Sequence, residues 1–354
     1  MEEEGVGKLR AGLISIDRSI VDLIAARMNL VKILGTLKSR IHAPVQDERR
    51  EIIVASMLAE EAERKGIPAS LVRDVYFELA RWSKCMQVYC PVKSRIAIYG
   101  YGSMASMIAS MLSRAGCWLA ITGRSRVKAA ALAEKVAAEA MDEEEAIEWA
   151  DIMLYAIPSS AIPSVLERHW GMLRESMLIL DISSVKKPVV EAYHRLASRG
   201  GEPPEYASLH PLYGPLECPA GETIAVTPVN LESWRERLED LLSNALAARI
   251  VYVDAETHDK VMAVNQVLHH LALEALAEAR RRAAELLGVE DADLKELATH
   301  SLRKTLAVVD RITGLERVVE EIRSENPYTW AAAEALREAV EELLSRLGGS
   351  GHTS

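Results

Sequence analysis

The sequence predicts a multidomain protein in which an all-α domain is followed by an α/β domain and then by a second all-α domain. Apolar residues recur at helical spacing over the first ninety residues. Short apolar runs then alternate with helix-like segments, which is typical of a mostly parallel sheet covered by helices. Strand signals cease near Glu256, where long Ala-, Leu-, Glu- and Arg-rich segments begin. We predict domains at 1–90, 95–255 and 256–347, a linker at 91–94 and a disordered tail at 348–354.

Composition and charge exclude several functional classes. The 354 residues carry a formal net charge of −10, which argues against a nucleic-acid-binding surface. No apolar run approaches the roughly 18 residues that a membrane span needs, and the acidic N-terminus lacks a signal-peptide pattern. The four cysteines show no metal-site spacing, so we expect free thiols in a reducing compartment. We therefore predict a soluble, cytoplasmic protein with no metal, nucleic-acid or membrane partner.

Three helices are predicted in the first domain. Apolar positions from Leu9 to Leu34 follow helical spacing, and the pattern is not broken before Pro44. The second helix ends at the turn from Gly66 to Pro68, and the third ends before Pro91. The predicted ranges are about 5–40, 46–65 and 69–89.

Charged residues on the first helix indicate a site shared between two chains. Arg27 and Lys38 are eleven residues apart, so they lie on one helix face about 16 Å apart. Arg10 precedes Arg27 by seventeen residues, roughly 25 Å along the axis, and points in a different direction. Arg10 can therefore reach the same small ligand only from a second copy. A helix this long also needs a partner to cover it, so we predict a symmetric dimer with intertwined long helices.

The order of polar residues in this domain resembles that of the all-helical chorismate mutase family, over about residues 5–90. The matching positions are Arg10, Arg27, Lys38, Asp47, Arg50, Glu51, Ser83 and Gln87. The resemblance implies that the three arginines, with Arg10 from the neighbouring subunit, bind the two carboxylates of chorismate, and that Ser83 assists at a carboxylate. It also implies that Lys38 and Gln87 donate to the breaking ether bond, while Glu51 and the Asp47 region bind the ring hydroxyl. A pericyclic rearrangement needs no nucleophile or base, only a compact conformer and donors aimed at developing negative charge.

The α/β domain opens with a glycine motif between a strand and a helix. The motif follows the apolar run 96–99 and precedes a helix-like segment beginning near Met107. In a Rossmann-type domain this arrangement lays a dinucleotide pyrophosphate on a helix N-terminus. The candidate cofactor-binding residues of the turn are Gly100, Tyr101, Gly102, Ser103 and Met104. The predicted strands of the domain are 95–99, 118–122, 152–156, 177–181, 206–209 and 223–227.

The segment after the second predicted strand favours NADP over NAD. An NAD site would place a carboxylate near the end of that strand, and none is present after Thr122. Arg124, Ser125 and Arg126 instead offer two guanidinium groups and a hydroxyl for a 2′-phosphate. The alternatives are that these are ordinary loop cations and that the cofactor is NAD.

Two further motifs follow predicted strands, so both should lie at the carboxyl edge of the sheet where ligands bind. The first runs from Asp181 to Lys186 and includes Ser184. The second places His210 before Pro211, with Gly214 and Pro215 just beyond. A histidine that follows a strand and precedes Pro and Gly-Pro is held in a rigid segment. This makes His210 a candidate base.

This series of features, together with the downstream His258-Asp259 pair, resembles the prephenate dehydrogenase family over about residues 95–330. The resemblance implies that His210 hydrogen-bonds the ring hydroxyl of prephenate and takes its proton as hydride leaves. It implies that Ser184 orients His210 near the nicotinamide, that Arg311 binds a substrate carboxylate and that His270 lines the pocket. Lys186 would support the site. The final helices are expected to add a second dimerisation surface.

The combined hypothesis is a bifunctional enzyme of tyrosine biosynthesis. It would convert chorismate to prephenate and then oxidise prephenate to 4-hydroxyphenylpyruvate with NADP or NAD. Three alternatives remain open from the sequence: another reductase of the same architecture, an inactive helical domain that serves only as a dimerisation arm, and arogenate as the substrate. The first does not explain the residues around His210, and the second does not explain why the polar set of the first domain is present.

Overall fold

The computed structural model describes residues 2–348 and places a three-helix domain before an α/β domain and a set of C-terminal helices. The predicted fold class is therefore confirmed. Apart from Gly348, where the last helix ends, the predicted disordered tail lies outside the described residues.

The first domain consists of α1 (Glu2–Arg40), α2 (Glu48–Arg64) and α3 (Ala69–Gln87). Asp47 caps α2, because its carboxylate accepts a hydrogen bond from the Arg50 backbone N–H at 2.9 Å. α1 and α3 are in close contact at Gly35, where a Cβ atom would lie 2.9 Å from the Cα of Gln87. The N-terminal half of α1 leaves its apolar residues exposed, Leu9 to the extent of 73%.

An eight-stranded sheet forms the centre of the second domain, in the order β3-β2-β1-β4-β5-β6-β7-β8. β1 to β6 are parallel; β7 is antiparallel to β6, and β8 is parallel to β7. The strand order reverses between β1 and β4, which is the point where ligands bind in doubly wound sheets. The strands are β1 (Arg95–Tyr99), β2 (Trp118–Thr122), β3 (Glu139–Ala140), β4 (Ile152–Tyr155), β5 (Leu178–Asp181), β6 (Glu205–Pro211), β7 (Thr223–Asn230) and β8 (Arg249–Tyr252).

Helices cover both faces of this sheet, and an apolar core lies on each side. The core on one face reaches back to the first domain, since Val45, Val88 and Tyr89 belong to it. The covering helices are α4 (Ser103–Arg114), α5 (Arg126–Val136), α6 (Glu143–Trp149), α7 (Ile162–His169), α8 (Lys187–Ala197) and α9 (Arg235–Asp240).

The C-terminal helices leave many apolar side chains exposed, including Leu286, Leu287 and Trp330. A π-helical turn, Ala263–Val267, joins the first two of them. Among residues 2–348, no helix combines the length and apolar character needed to cross a membrane. The helices are α10 (Ala255–Met262), α11 (Leu268–Leu287), α12 (Asp291–Glu296), α13 (His300–Thr313), α14 (Glu316–Glu325) and α15 (Thr329–Gly348).

All four cysteines are paired, so the prediction of free thiols is wrong. Cys85 of α3 is bonded to Cys218, between β6 and β7, and Cys90 is bonded to Cys117, just before β2. The partners are 133 and 27 residues apart in the sequence, so local spacing carries no sign of the pairs. Disulfides are typical of oxidising compartments and of intracellular proteins from hyperthermophiles, which removes the argument from cysteine for a reducing compartment.

The segment between the first two domains, residues 88–94, is packed against the α/β domain, and we call it the junction. The Tyr89 backbone N–H donates to the Asn244 carbonyl at 3.2 Å, and the Cys90 N–H donates to the Ala115 carbonyl at 2.8 Å. The Asn244 side chain also accepts from the backbone N–H of Val45 at 3.2 Å. These bonds place the first domain directly on the second.

Candidate active sites

The first candidate site lies where α1 meets α3. The guanidinium of Arg27 donates to the Leu79 carbonyl at 3.2 Å and to the hydroxyl of Ser83. Ser83 is buried and donates in turn to the Leu79 carbonyl. Two of the predicted substrate-binding side chains, Arg27 and Ser83, are thus in direct contact although 56 residues separate them in the sequence.

Charges of both signs converge beside this pair. The ammonium of Lys38 donates to the Val45 carbonyl at 3.0 Å, and burial lowers the pKa of Lys38 while the nearby Asp47 and Glu51 raise it. Glu51 accepts from the ammonium of Lys84 at 3.0 Å, and both side chains are largely buried. The sequence did not single out Lys84. The sequence feature that could have indicated Lys84 is its position three residues before Gln87, on the same face of α3.

Tyr76 lies near the charged cluster. Burial and the neighbouring Glu51 raise the pKa of its phenol, while Arg27 and Arg50 act in the opposite direction. These three charged groups therefore lie close enough to act on the same ring, even though the side chain of Arg50 is exposed at the start of α2. The arrangement is a cluster of cations and carboxylates, and the described residues of this cluster include no nucleophile–base pair.

Gln87 contributes a buried polar atom that has no partner. Its Nε2 donates to the Ser83 carbonyl at 3.2 Å within α3, while its Oε1 is buried and unpaired. Leaving such an atom unsatisfied costs about 1–3 kcal/mol, so a ligand is the natural source of the missing hydrogen bond. Rotation of the amide by 180° would exchange its two ends and present Nε2 instead.

Arg10 is not brought to this cluster within one chain. It lies on the exposed part of α1, roughly 25 Å along the helix from Arg27 at the usual rise per residue. Its predicted role, from a neighbouring subunit, stays a prediction.

The glycine turn between β1 and α4 provides the second candidate site. Gly100 has φ +141°, and a Cβ atom there would lie 2.2 Å from the Ala156 carbonyl oxygen, so no other residue fits. Gly102 precedes α4, is exposed, and a Cβ atom there would meet nothing within 4 Å. The open space in front of the first N–H groups of α4, beside the exposed Ser103, fits a dinucleotide pyrophosphate. Tyr101 and Met104 flank the turn and are half-buried.

The three candidate 2′-phosphate ligands in the segment after β2 differ in whether their side chains already have partners. Arg126 is engaged with Asp142, with N–O distances of 2.8 and 3.0 Å. Ser125 caps α5 by accepting from the Lys128 backbone N–H at 3.4 Å. Arg124 is exposed, and no side chain in the described part of the chain pairs with it. Arg124 could therefore bind a 2′-phosphate without first breaking a contact to another side chain, unlike Arg126.

His210 lies at the carboxyl end of β6 rather than in the following loop, and it is 5% exposed. Its Nδ1 is 3.0 Å from Nε2 of His258, and Nδ1 of His258 is 2.8 Å from Oδ1 of Asp259. Burial, Lys186 and His258 hold the pKa of His210 well below its ordinary value. The histidine is therefore neutral at neutral pH, which is the state a base requires.

Lys186 connects His210 to the neighbouring strand end. Its ammonium donates to the Ser183 carbonyl at 2.9 Å, to the Ser208 hydroxyl at 2.9 Å and to the Leu209 carbonyl at 2.7 Å. Burial lowers the pKa of Lys186 to about 8. The bond to Leu209 fixes the backbone immediately before His210.

Three residues with predicted roles make no hydrogen bond to His210 within the described part of the chain. Ser184 is half-buried and has no hydrogen bond to it; the buried serine of this motif is Ser183, which bonds Asp181. His270, on α11, is half-buried, and burial lowers its pKa. Arg311 is exposed on α13. Their roles stay predictions.

Comparisons with known proteins match both domains. Residues 9–88 match the family model "chorismate mutase type II", and residues 95–184 match the model "NADP oxidoreductase coenzyme F420-dependent". The chain is 25% identical over 355 residues to the T-protein of Haemophilus influenzae, covering 97% of this chain and 87% of that protein.

Solved structures share the fold of the second and third domains. Arogenate dehydrogenase from Synechocystis matches with a TM-score of 0.57 and 19% identity, covering 72% of this chain and 92% of that one. Prephenate dehydrogenase from A. aeolicus, in complex with hydroxyphenyl propionate and NAD+, matches with a TM-score of 0.56 and 18% identity, covering 73% and 93%. The resemblances drawn from the sequence are confirmed for both domains, and so is a nicotinamide cofactor for the second.

Proposed function

We propose that this chain catalyses two successive reactions, the rearrangement of chorismate to prephenate and the oxidative decarboxylation of prephenate to 4-hydroxyphenylpyruvate. The observation that carries the proposal is the presence in one chain of two sites with different chemistry. The first holds Arg27, Lys38 and Gln87 without a base, and the second holds the buried, neutral His210 on the same sheet edge as a glycine turn.

In the first site the side chains bind and orient. Arg27 and Arg50 bind carboxylates of chorismate, and Ser83 fixes the guanidinium of Arg27 and assists at the same group. Lys38 donates to the ether oxygen as its bond breaks, and so does Nε2 of Gln87 once its amide rotates by 180°, which stabilises charge present only in the transition state. Glu51 and the Asp47 region bind the ring hydroxyl, with Lys84 holding Glu51 in place.

In the second site His210 acts as the base. Its free ring nitrogen accepts the proton of the ring hydroxyl, so the oxygen becomes a carbonyl while hydride leaves the same carbon. A nicotinamide cofactor held at the glycine turn by Gly100, Gly102 and Ser103 would supply the hydride acceptor. Ser184 and His270 line the pocket, and Arg311 binds a substrate carboxylate. Loss of carbon dioxide restores an aromatic ring, and that gain drives the reaction forward.

For the cofactor we propose NADP rather than NAD, with Gly100, Gly102 and Ser103 at the pyrophosphate. The support is the cationic segment after β2, where Arg124 is free to meet a 2′-phosphate. Arg126 would have to exchange its contact with Asp142 for the phosphate, so its contribution is smaller.

We propose a homodimer in which α1 of each subunit completes the mutase site of the other. The support is the exposed apolar surface of α1, together with the distance between Arg10 and the Arg27 cluster. The exposed apolar residues of α11 and α15 offer a second dimerisation surface.

One assay tests both activities: purified protein receives chorismate with NADP+ or NAD+, and reduced cofactor is followed by absorbance. We expect reduced cofactor to form only after chorismate is consumed. Gln87→Ala should abolish chorismate consumption yet still oxidise added prephenate, and His210→Asn should show the reverse. Arogenate, the alternative favoured by the likeness to the Synechocystis enzyme, is tested as a second substrate. Failure of the wild type to consume chorismate would leave the helical domain as a dimerisation arm.

A further inference from the structure

We propose that His258 and Asp259 form a proton relay behind His210, and that His258 carries the positive charge during oxidation by accepting the Nδ1 hydrogen of His210. The relay comprises His210, His258 and Asp259, and the inference rests on the proposed function of His210 as the base. His258 does not touch the substrate in this scheme; it acts through His210.

The hydrogen bonds around Asp259 fix the direction of the relay. Asp259 is fully buried, and its Oδ1 accepts from the Lys186 backbone N–H at 2.8 Å, while its Oδ2 accepts from the Lys187 N–H at 2.9 Å. Its own backbone carbonyl accepts from Asn326 at 2.9 Å. The carboxylate therefore cannot rotate away from His258 without losing two bonds at the start of α8.

The protonation of both histidines follows from that fixed carboxylate. A carboxylate can only accept, so Nδ1 of His258, 2.8 Å from Asp259, carries a hydrogen. A neutral His258 then has a lone pair on Nε2, which faces Nδ1 of His210 at 3.0 Å. Nδ1 of His210 must therefore carry the hydrogen of that bond, and Nε2 of His210 is left with the lone pair that a base needs.

The charges nearby favour moving the proton inward. An imidazolium at His210 would be buried beside the ammonium of Lys186, which opposes it. An imidazolium at His258 would lie against Asp259, whose charge raises the pKa of His258 and partly offsets burial and Lys186. Asp181 also favours charge on His258. The relay thus moves the positive charge from His210, which is hydrogen-bonded to His258, to His258, which is hydrogen-bonded to the carboxylate of Asp259.

The proton balance of the reaction closes with this relay. The substrate O–H bond breaks, an N–H bond forms at Nε2 of His210, and the hydrogen on its Nδ1 passes to Nε2 of His258. The electron pair of the O–H bond forms the new carbonyl as hydride leaves for the nicotinamide. When carbon dioxide departs, the C–C electron pair makes the ring aromatic and leaves a phenolate. Both protons then return along the relay, and the phenol forms without net exchange with solvent.

A purely structural role for the pair is the competing explanation, because Asp259 also binds the first N–H groups of α8. His258→Gln separates the two explanations, since glutamine can still accept from His210 but cannot carry a proton. We expect kcat for prephenate oxidation to fall at least about 100-fold, the lower range for losing a proton-transfer group, with KM changed less than about threefold. His269→Gln, at an exposed histidine on α11, is the matched control and should behave as wild type.

Asp259→Asn provides a second test, because an amide can donate to His258 and reverse both tautomers. We expect 15N NMR of histidine-labelled wild type to place the His210 proton on Nδ1, and the asparagine variant to place it on Nε2 with kcat reduced. Unchanged mutase activity in each variant shows that the chain is folded. If a variant does not fold, the tautomer in the wild type decides: a proton on Nε2 of His210 overturns the relay.

Failure of the relay and failure of the proposed function are distinguishable. If the wild type does not oxidise prephenate, the proposed function fails. If the wild type oxidises prephenate and His258→Gln keeps wild-type kcat, only the relay fails.

Discussion

We predict that removing the disulfide between Cys85 and Cys218 lowers the free energy of unfolding by about 4–5 kcal/mol. The disulfide joins α3 of the first domain to the segment after β6, and it encloses 133 residues. The 27-residue loop of the second disulfide lies inside it and shortens the effective loop to about 106 residues. In the chain-entropy treatment, closing a loop of this length stabilises the native state by about 5 kcal/mol.

The substitution Cys218→Ala removes this cross-link and leaves the Cys90–Cys117 bond in place. We expect the free energy of unfolding to fall by about 4–5 kcal/mol, because the unfolded chain regains the freedom that the bond removed. We also expect the first domain to unfold in a separate transition at lower denaturant, since its covalent tie near the mutase site is gone. Urea unfolding, followed by far-UV circular dichroism at several protein concentrations, measures both effects while accounting for dimerisation.

Cys117→Ala is the matched control. It opens the shorter loop, for which the same treatment gives about 3.6 kcal/mol, and it leaves α3 tied to the second domain. The variants should therefore differ in both the size of the loss and the number of transitions. A Cys218→Ala variant that unfolds in one step, with a loss below about 1 kcal/mol, would show that this cross-link neither stabilises the chain as loop entropy predicts nor ties the first domain to the second.

Three further predictions concern the sites. Because the pKa of His210 is lowered, kcat/KM for prephenate should stay constant down to about pH 6.5 and fall only below it; a fall beginning above pH 7 would count against His210 as a neutral base. Gly35→Ala places a Cβ atom 2.9 Å from the Cα of Gln87, so chorismate turnover should drop at least about tenfold in a stopped absorbance assay, while Gly12→Ala, in open space on the same helix, should not reduce it. Arg124→Ala should raise KM for NADP+ about tenfold, the loss of one charge-assisted contact, and leave KM for NAD+ unchanged in initial-rate measurements; equal effects on both would remove Arg124 from the 2′-phosphate site.

The sequence was sufficient for the order of the domains and for most strands, because periodicity and turn residues are local signals. β3 was not anticipated because it has only two residues. β8 was missed even though residues 250–253 form a short apolar run that could have indicated it. His210 was expected in a loop, yet β6 continues through Pro211 because β7 pairs with it there.

The sequence predicted which residues belong to the candidate sites better than it predicted which of them contact one another. Arg27 and Ser83 were both singled out, but their direct contact depends on the packing of α1 against α3. His258 and Asp259 were noticed only as part of a motif, because their connection to His210 is made by tertiary structure across 48 residues. The disulfides were missed for the same reason.

The junction has a consequence for any attempt to obtain the two activities on separate polypeptides. A chain divided after residue 90 would leave the carbonyls of Asn244 and Ala115 without their donors from Tyr89 and Cys90. It would also expose the apolar surface that Val88 and Tyr89 now cover. Splitting this protein therefore cuts through a shared core. A separately expressed dehydrogenase should therefore include the junction residues. A separately expressed mutase would need substitutions that replace its lost apolar contacts with the second domain.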